Sequence, residues 1–316
     1  MPIRSISFAG TTLAIGYHSL TAARIVELLY QHIATDNAGP ARLTYRLCSD
    51  EVTARVQLYR DETLLYEGHC TGSVAELLLG DSCYQLAAHC RTGLLFHAAA
   101  LSGRGCTLIL PGISGAGKST LTAWLINQGF DYLSDELVFV PWQTNTIQAF
   151  PRPLSLKKPA RSVLSHYLDF EKQADHILSS DYVDLVPPTL FTSTSCGAFP
   201  PREVSNGNSK DSPQSILSNC KPGPSGKCGD SPLLIFPRYQ RHSAIEWQPL
   251  SKVRAGLALM EHLINARNLP GHGLTEAARI AAAMPAYRLI YADFVQLRGQ
   301  LESLLSSHIA VPTTFG

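Results

Sequence analysis

Apolar residues recur every three to four positions over residues 20–34, with Ile25, Leu28 and Leu29 on one side, and Ser19 precedes them as an N-cap, so the pattern predicts a helix. Residues 41–48, 52–59 and 63–70 alternate and read as three strands, with Glu62 near a turn, and a second helix is expected over 73–90. Beyond about residue 91 the pattern changes. Residues 94–101 form an apolar run, 102–105 (Ser-Gly-Arg-Gly) a turn, and 106–110 a second apolar, β-branched run. So short a link predicts an antiparallel hairpin, because a parallel pair needs a long crossover. Folding the chain about residue 104 sets His97 opposite Pro111. A helix is expected over 118–128, with Gly129 as its C-terminal cap.

Residues 130–134 and 137–140 read as strand, interrupted by Asp135 and Glu136, and 141–150 suggests a second hairpin. Residues 192–232 are rich in Ser, Gly, Pro, Asn and Lys without any period, which predicts a long flexible loop. After a strand at 233–236, a helix over 251–266 would present Val253, Leu257, Met260 and Ile264 to the core. Residues 275–283 read as helix and 287–291 as strand. Asp293 would cap a last helix that buries Phe294, Leu297, Leu301 and Leu304. This divides the chain into an α+β module over 1–90 and a second domain over 91–316.

Composition narrows the function classes. Of 316 residues, 45% are hydrophobic, enough for a substantial core. The formal net charge is +1 and no basic stripe appears, which argues against a nucleic-acid partner. No run of eighteen apolar residues predicts a membrane span, and the first ten residues lack the apolar stretch of a secretory signal. The eight cysteines form no C-x-x-C pair, which fits reduced thiols and a cytoplasmic location. Cys196, Cys220 and Cys228 share one loop without a nearby histidine, so plain thiols are favoured there over a zinc site.

The chemistry concentrates at residues 112–120: Gly112, Ile113, Ser114, Gly115, Ala116, Gly117, Lys118, Ser119 and Thr120. This is a full G-x-x-x-x-G-K-[ST] phosphate-binding loop between a predicted strand and a predicted helix, the context the motif requires. Its glycines let successive N–H groups turn inward to form an anion site at a helix N-terminus. Lys118 brings a point charge to the β- and γ-phosphates, and Ser119 a hydroxyl to Mg²⁺. Asp135 and Glu136 are two adjacent carboxylates in an apolar stretch, an arrangement that is costly unless it meets a cation. On a strand returning beside the loop, one carboxylate would hold Mg²⁺ and the other accept a proton from an attacking hydroxyl. Asp135 is assigned here as the base and Glu136 as the metal ligand, with the roles open to exchange. His97, at the loop's mouth, would orient the pair or touch the transferring phosphate. Arg152, Lys157, Lys158 and Arg161, pinned by prolines, are candidate contacts to phosphate or to an acidic substrate.

Together, His97, the loop and the acid pair resemble the catalytic domain of the HPr kinase/phosphorylase family. His97 stands fifteen residues before Gly112, and Asp135 seventeen after Lys118. The segments 151–157 (Pro-Arg-Pro-Leu-Ser-Leu-Lys) and 236–239 (Phe-Pro-Arg-Tyr) look like those of the HPr-kinase-related kinases. The resemblance covers residues 91–316 and is strongest over 94–140. It implies the phosphoenolpyruvate-carboxykinase-like fold, a mixed and largely antiparallel nucleotide-binding core. It also implies Mg²⁺-dependent transfer of phosphate from ATP to a serine hydroxyl, and, from related kinases, a homo-oligomer. Two departures bear on this. The second acid is Glu136 rather than aspartate, and the Glu-Ile-Arg-Gly-Leu-Gly signature of the bifunctional enzymes is absent, so HPr as substrate and the reverse phosphorolysis are not implied. The acceptor is a serine-containing peptide, a protein or a small molecule. The rival reading is a nucleotide-binding sensor that transfers no phosphate, against which the acid pair argues, because binding alone needs no base.

Overall fold

The computed structural model describes residues 1–33, 39–192 and 231–309. Most of the stretch at 192–232, with Cys196, Cys220 and Cys228, lies outside these described residues. Ile6 and Phe8 alternate with serines, and Leu13 and Ile15 with smaller residues. They form strands β1 (Ile3–Phe8) and β2 (Thr11–His18), an antiparallel hairpin about Ala9 and Gly10, both at positive φ. This hairpin is absent from the expected elements, since its alternation is short and broken by the turn. Helix α1 (Leu20–Tyr30) is capped as expected by the Ser19 hydroxyl, which accepts from Ala22 N–H at 3.1 Å. The helix crosses over to β3 (Leu43–Asp50), parallel to β2, and β4 (Arg55–Arg60) and β5 (Thr63–Gly68) complete a five-stranded sheet in order β1-β2-β3-β4-β5.

Helix α2 (Thr71–His89) packs on this sheet. Its core does not stop at residue 90. Ile6, Leu13, Tyr45, Leu58 and Leu78 share one buried cluster with Leu95, Phe139 and Phe150.

The run at 94–101 is two strands, not one. It breaks at His97 into β6 (Gly93–Phe96) and β7 (Ala98–Gly103). Strand β7 pairs antiparallel with β8 (Cys106–Pro111), the expected hairpin, but Ala98 rather than His97 lies opposite Pro111. The reason is the turn. Arg104 and Gly105 are both at positive φ and make a two-residue link, so the fold centres between them rather than on residue 104. His97 shifts by one position only: its carbonyl accepts from Gly112 N–H at 3.3 Å.

Helix α3 (Lys118–Asn127) leads to β9 (Asp131–Ser134), and a tight turn to β10 (Val138–Pro141), which pairs with β6. The expected second hairpin at 141–150 is reduced to isolated bridges, Phe139 to Gln148 and Ser134 to Phe150. Strands β11 (Leu154–Lys157), β12 (Leu178–Ser179) and β13 (Val183–Val186), with helix α4 (Ala160–Leu164) between the first two, form a small antiparallel sheet. Strand β14 (Ser231–Tyr239) runs parallel to β8 on one side. On its other side lies β16 (Ala286–Tyr291), also parallel, and β15 (Glu246–Pro249) closes that edge. The resulting sheet has the order β15-β16-β14-β8-β7-β9. Strand β8 thus has one antiparallel and one parallel neighbour, so the architecture is mixed α/β with mostly antiparallel pairing.

Helices α5 (Lys252–Glu261) and α6 (Leu274–Ala283) pack together below this sheet, and α7 (Phe294–Ile309) opens with the expected cap, Asp293 Oδ1 accepting from Gln296 N–H at 2.9 Å. The face predicted for α5 is wrong. Val253 and Leu257 are 74% and 60% exposed, while Ala255 and Leu259 are buried. A Cβ on Gly256 would stand 3.7 Å from the Ala281 methyl, so the two helices approach through small residues and the larger side chains are left outside.

Two of the basic candidates are spent on this framework. Lys158 Nζ and Arg161 Nε both donate to the fully buried Asp184, at 2.6 and 2.7 Å. Burial alone would raise the Asp184 carboxyl, but hydrogen bonds from Arg161, Lys158 and Ser179 hold it down, to about 2 from the usual 3.8. A depressed carboxyl stabilises the fold above its unfolded value and loses that contribution as pH falls through the folded one. Asp184→Asn should therefore flatten the stability profile between pH 4 and pH 2 and remove about 2 kcal/mol at neutral pH, as read by urea titration at several pH values. An unchanged profile would mean that the network contributes nothing net.

Candidate functional site

The loop at 112–117 leaves the fully buried strand β8 and enters α3. Gly115 and Gly117 are in the left-handed region, at φ +89° and +87°. Neighbours fix it from outside. Tyr239 N–H donates to the Ala116 carbonyl at 2.9 Å and Tyr291 Oη to the Gly117 carbonyl at 3.0 Å. Ile113, Ser114 and Gly115 are exposed at the tip, and the first turn of α3 leaves N–H groups without intrahelical acceptors. The N–H groups of Gly112 and Ala116 are taken by the His97 and Ile113 carbonyls, so donors for an anion would come from the remaining loop positions and the first turn of α3.

Lys118 is 4% exposed and Asp135 fully buried. Lys118 Nζ donates to Asp135 Oδ1 at 3.1 Å and to Glu136 Oε1 at 3.0 Å, and Ser119 Oγ donates to Asp135 Oδ2 at 2.8 Å. The expected cation for the acid pair is therefore Lys118 itself. The carboxylates sit in the turn between β9 and β10, which the Ser134 hydroxyl closes on the Leu137 carbonyl. Glu136 is at φ +75°, a conformation that costs a side-chain-bearing residue roughly 1 kcal/mol. That strain turns Glu136 toward the cleft while Asp135 stays behind it. His97 Nε2 stands 2.7 Å from Glu136 Oε2. His97 reaches this position because it occupies the break between β6 and β7, where its N–H donates to the His262 carbonyl at 2.8 Å. Burial would raise the Glu136 carboxyl. The His97 hydrogen bond and the charges of Lys118 and Arg152 outweigh it and hold the group well below the usual carboxylate range.

These residues line a cleft of about 1560 Å³. His97, Ile113, Ser114, Gly115, Gly117, Lys118, Ser119, Thr120 and Glu136 form its wall, whereas Gly112, Ala116 and Asp135 lie behind it. Lys157 also faces the cleft, its Nζ 3.9 Å from where a Cβ on Gly115 would be, and of the four basic candidates it is the one next to the loop. Among the described residues, no cluster of three or more His, Cys, Asp or Glu side chains is arranged to hold a metal unaided. The Ser119 hydroxyl and the Asp135 carboxylate, bonded to each other, are hard oxygen donors of the type Mg²⁺ takes alongside phosphate and water.

Sequence reasoning missed two parts of the site. Helix α2 supplies a wall through Glu76, Leu79, Cys83 and Tyr84, although nothing in the first ninety residues has a catalytic look. The segment after α5 supplies another, where Asn265 donates to the carbonyls of Gly93 and Cys90 and accepts from Leu95 N–H at 2.9 Å. Neither carries a motif; only three-dimensional proximity brings them in. Arg152, already among the basic candidates, also lines the cleft, but as a buried side chain, 4% exposed, rather than a surface one.

Fold and site define a mixed α/β protein with a glycine-rich loop facing a buried lysine-carboxylate cluster. No protein-family model matches the chain, and no curated protein matches it. Among the described residues no helix is long and apolar enough to cross a membrane.

Proposed function

We propose that the protein is a Mg²⁺-dependent kinase of the HPr-kinase-like type, with a phosphoenolpyruvate-carboxykinase-like core, that moves the γ-phosphate of ATP to a serine hydroxyl. The observation that carries this reading is the continuous contact chain Ser119, Asp135, Lys118, Glu136, His97 at the mouth of the glycine loop. A loop that only sensed nucleotide would have no use for a strained glutamate held by a histidine beside its lysine.

In this mechanism the loop N–H groups and Lys118 bind the phosphates and stabilise the charge that spreads over the transferring group. Ser119 and Asp135 would hold Mg²⁺, which supplies charge neutralisation on the phosphate oxygens. The acceptor oxygen forms a bond to the γ-phosphorus as the bond to the β–γ bridging oxygen breaks, and ADP leaves with that electron pair. The hydroxyl proton passes to Glu136. The roles of the acids are thereby exchanged relative to the sequence expectation. Asp135 is fully buried and bonded to Ser119, whereas Glu136 lines the cleft where a hydroxyl can reach it. His97 keeps the Glu136 carboxylate oriented.

The test is mass-spectrometric phosphotransfer from Mg-ATP to L-serine and to serine-containing peptides, beside Glu136→Gln. A phosphoserine product is expected, reduced about 100- to 10,000-fold in the variant, with nucleotide affinity within a few fold of the parent. Undiminished transfer in Glu136→Gln would remove it as the base. Tight ATP binding with no transfer to any acceptor would favour the sensor reading.

A further inference from the structure

Arg152 is a buried cation whose neighbours do not neutralise it at contact. Its Nε donates to the Pro153 carbonyl at 3.1 Å, one terminal nitrogen to the Ser155 hydroxyl, and the other reaches only the Cys83 sulfur, at 3.8 Å. Among the described residues no carboxylate forms an ion pair with it, although Lys118, Lys158, Arg161 and Arg60 each have one. Cys83 is no counter-ion either, because burial pushes its thiol up and keeps it neutral. A guanidinium has five donors and cannot shed its proton; the Glu136 and Asp135 carboxylates favour the Arg152 charge from a distance, but neither meets its donor fork at contact, which leaves the fork for an anion that arrives there.

Its location says which anion. Arg152 lines the same cleft as Lys118 and Glu136. Its hydrogen bonds go to Pro153, to Ser155 on β11 and to Cys83 on α2, and none goes to residues 112–120. Both Lys118 and Arg152 act electrostatically on Glu136, while only Lys118 touches it. From the glycine loop, Lys118 and Glu136 come first by contact, and Arg152 lies beyond them against helix α2. On the kinase reading, the nucleotide phosphates would take the loop side and the acceptor the Arg152 side.

We propose that Arg152 is the receptor for an oxyanion on the phosphate acceptor, close to the hydroxyl that Glu136 serves. This rests on the kinase reading above and narrows its substrate class to hydroxyl compounds or residues with a neighbouring carboxylate or phosphate. Such groups match the planar fork of arginine and take two parallel hydrogen bonds from it.

The test fills the phosphate loop first. Protein saturated with Mg²⁺ and a non-hydrolysable ATP analogue is titrated calorimetrically with malonate and with inorganic phosphate, for the parent, Arg152→Gln and Arg152→Lys. At least one anion should bind the parent complex, at least tenfold more weakly in Arg152→Gln and several-fold more weakly in Arg152→Lys, with analogue affinity unchanged. The tighter anion tells a carboxylate-bearing from a phosphate-bearing acceptor. Should Arg152→Gln not fold, Arg152→Lys alone decides, since it keeps the charge and loses the fork. Equal anion affinities in parent and variants, or no anion binding with the analogue in place, would overturn the proposal while leaving the kinase reading intact. Failure of the analogue itself to bind would overturn the kinase reading, and the proposal with it.

Discussion

Lys118→Ala should cost the protein both the proposed transfer activity and part of its stability. Phosphotransfer should fall about 1,000-fold or more, because the charge proposed to meet the β- and γ-phosphates is gone. The second loss has a separate origin. Asp135 is fully buried and Lys118 is its cation, at 3.1 Å. Removing one partner of a buried pair leaves the other uncompensated, at about 3 kcal/mol. The double variant Lys118→Ala/Asp135→Asn should recover most of that stability and none of the activity. Urea titrations of the two variants beside the parent check this. If the single variant is as stable as the parent, solvent reaches Asp135 and the cluster is not held as described. The result also bears on the use of Lys118→Ala as an inactive control, since its loss of activity mixes two causes; Glu136→Gln is cleaner because Glu136 already lines the open cleft.

Gly117→Ala is expected to weaken the proposed nucleotide binding strongly, through shape alone. A Cβ there would stand 2.4 Å from Tyr291 Oη and 2.9 Å from Tyr239 Cβ, at a φ of +87°. The left-handed backbone costs an alanine roughly 1–2 kcal/mol. The clash adds to it, because the Tyr291 ring is packed against Tyr239 and Phe294 and cannot swing away freely. The loop has to move, and its N–H groups with it. ATP affinity should drop at least 100-fold in a calorimetric titration. Gly117→Ala/Tyr291→Phe removes the nearer obstacle and should regain a part, with the Tyr239 contact and the φ penalty remaining. Unchanged affinity in the single variant would show that the loop tolerates a different path.

The two predictions differ in how far sequence alone supports them. The importance of Lys118 and Gly117 is legible in the spacing of residues 112–120, because strand, glycine loop and helix are local and their geometry follows from a few neighbouring residues. The elements around them, β8, α3, β9 and β10, are likewise local and close to expectation. Misreadings cluster where long-range packing decides. The α5 face is set by how closely α6 approaches, and residues 141–150 lack a pairing partner for a second hairpin. The His97 register turned on one residue of turn geometry, which side-chain pattern does not encode.

By itself, then, the sequence determined the glycine loop between strand and helix, the hairpin that leads into it, and the placement of the acid pair after it and the histidine before it, since each depends on residues near in the chain. Only the tertiary structure decided which acid faces the cleft, through the positive φ of Glu136 and the burial of Asp135. Only it separated Arg152 from Lys158 and Arg161, three neighbouring cations of similar appearance, by giving Asp184 to two of them and no carboxylate to the first. The physical reason is common to both. Desolvation and charge pairing act between groups far apart in sequence, and their sign for any one residue depends on partners that only the folded chain brings near.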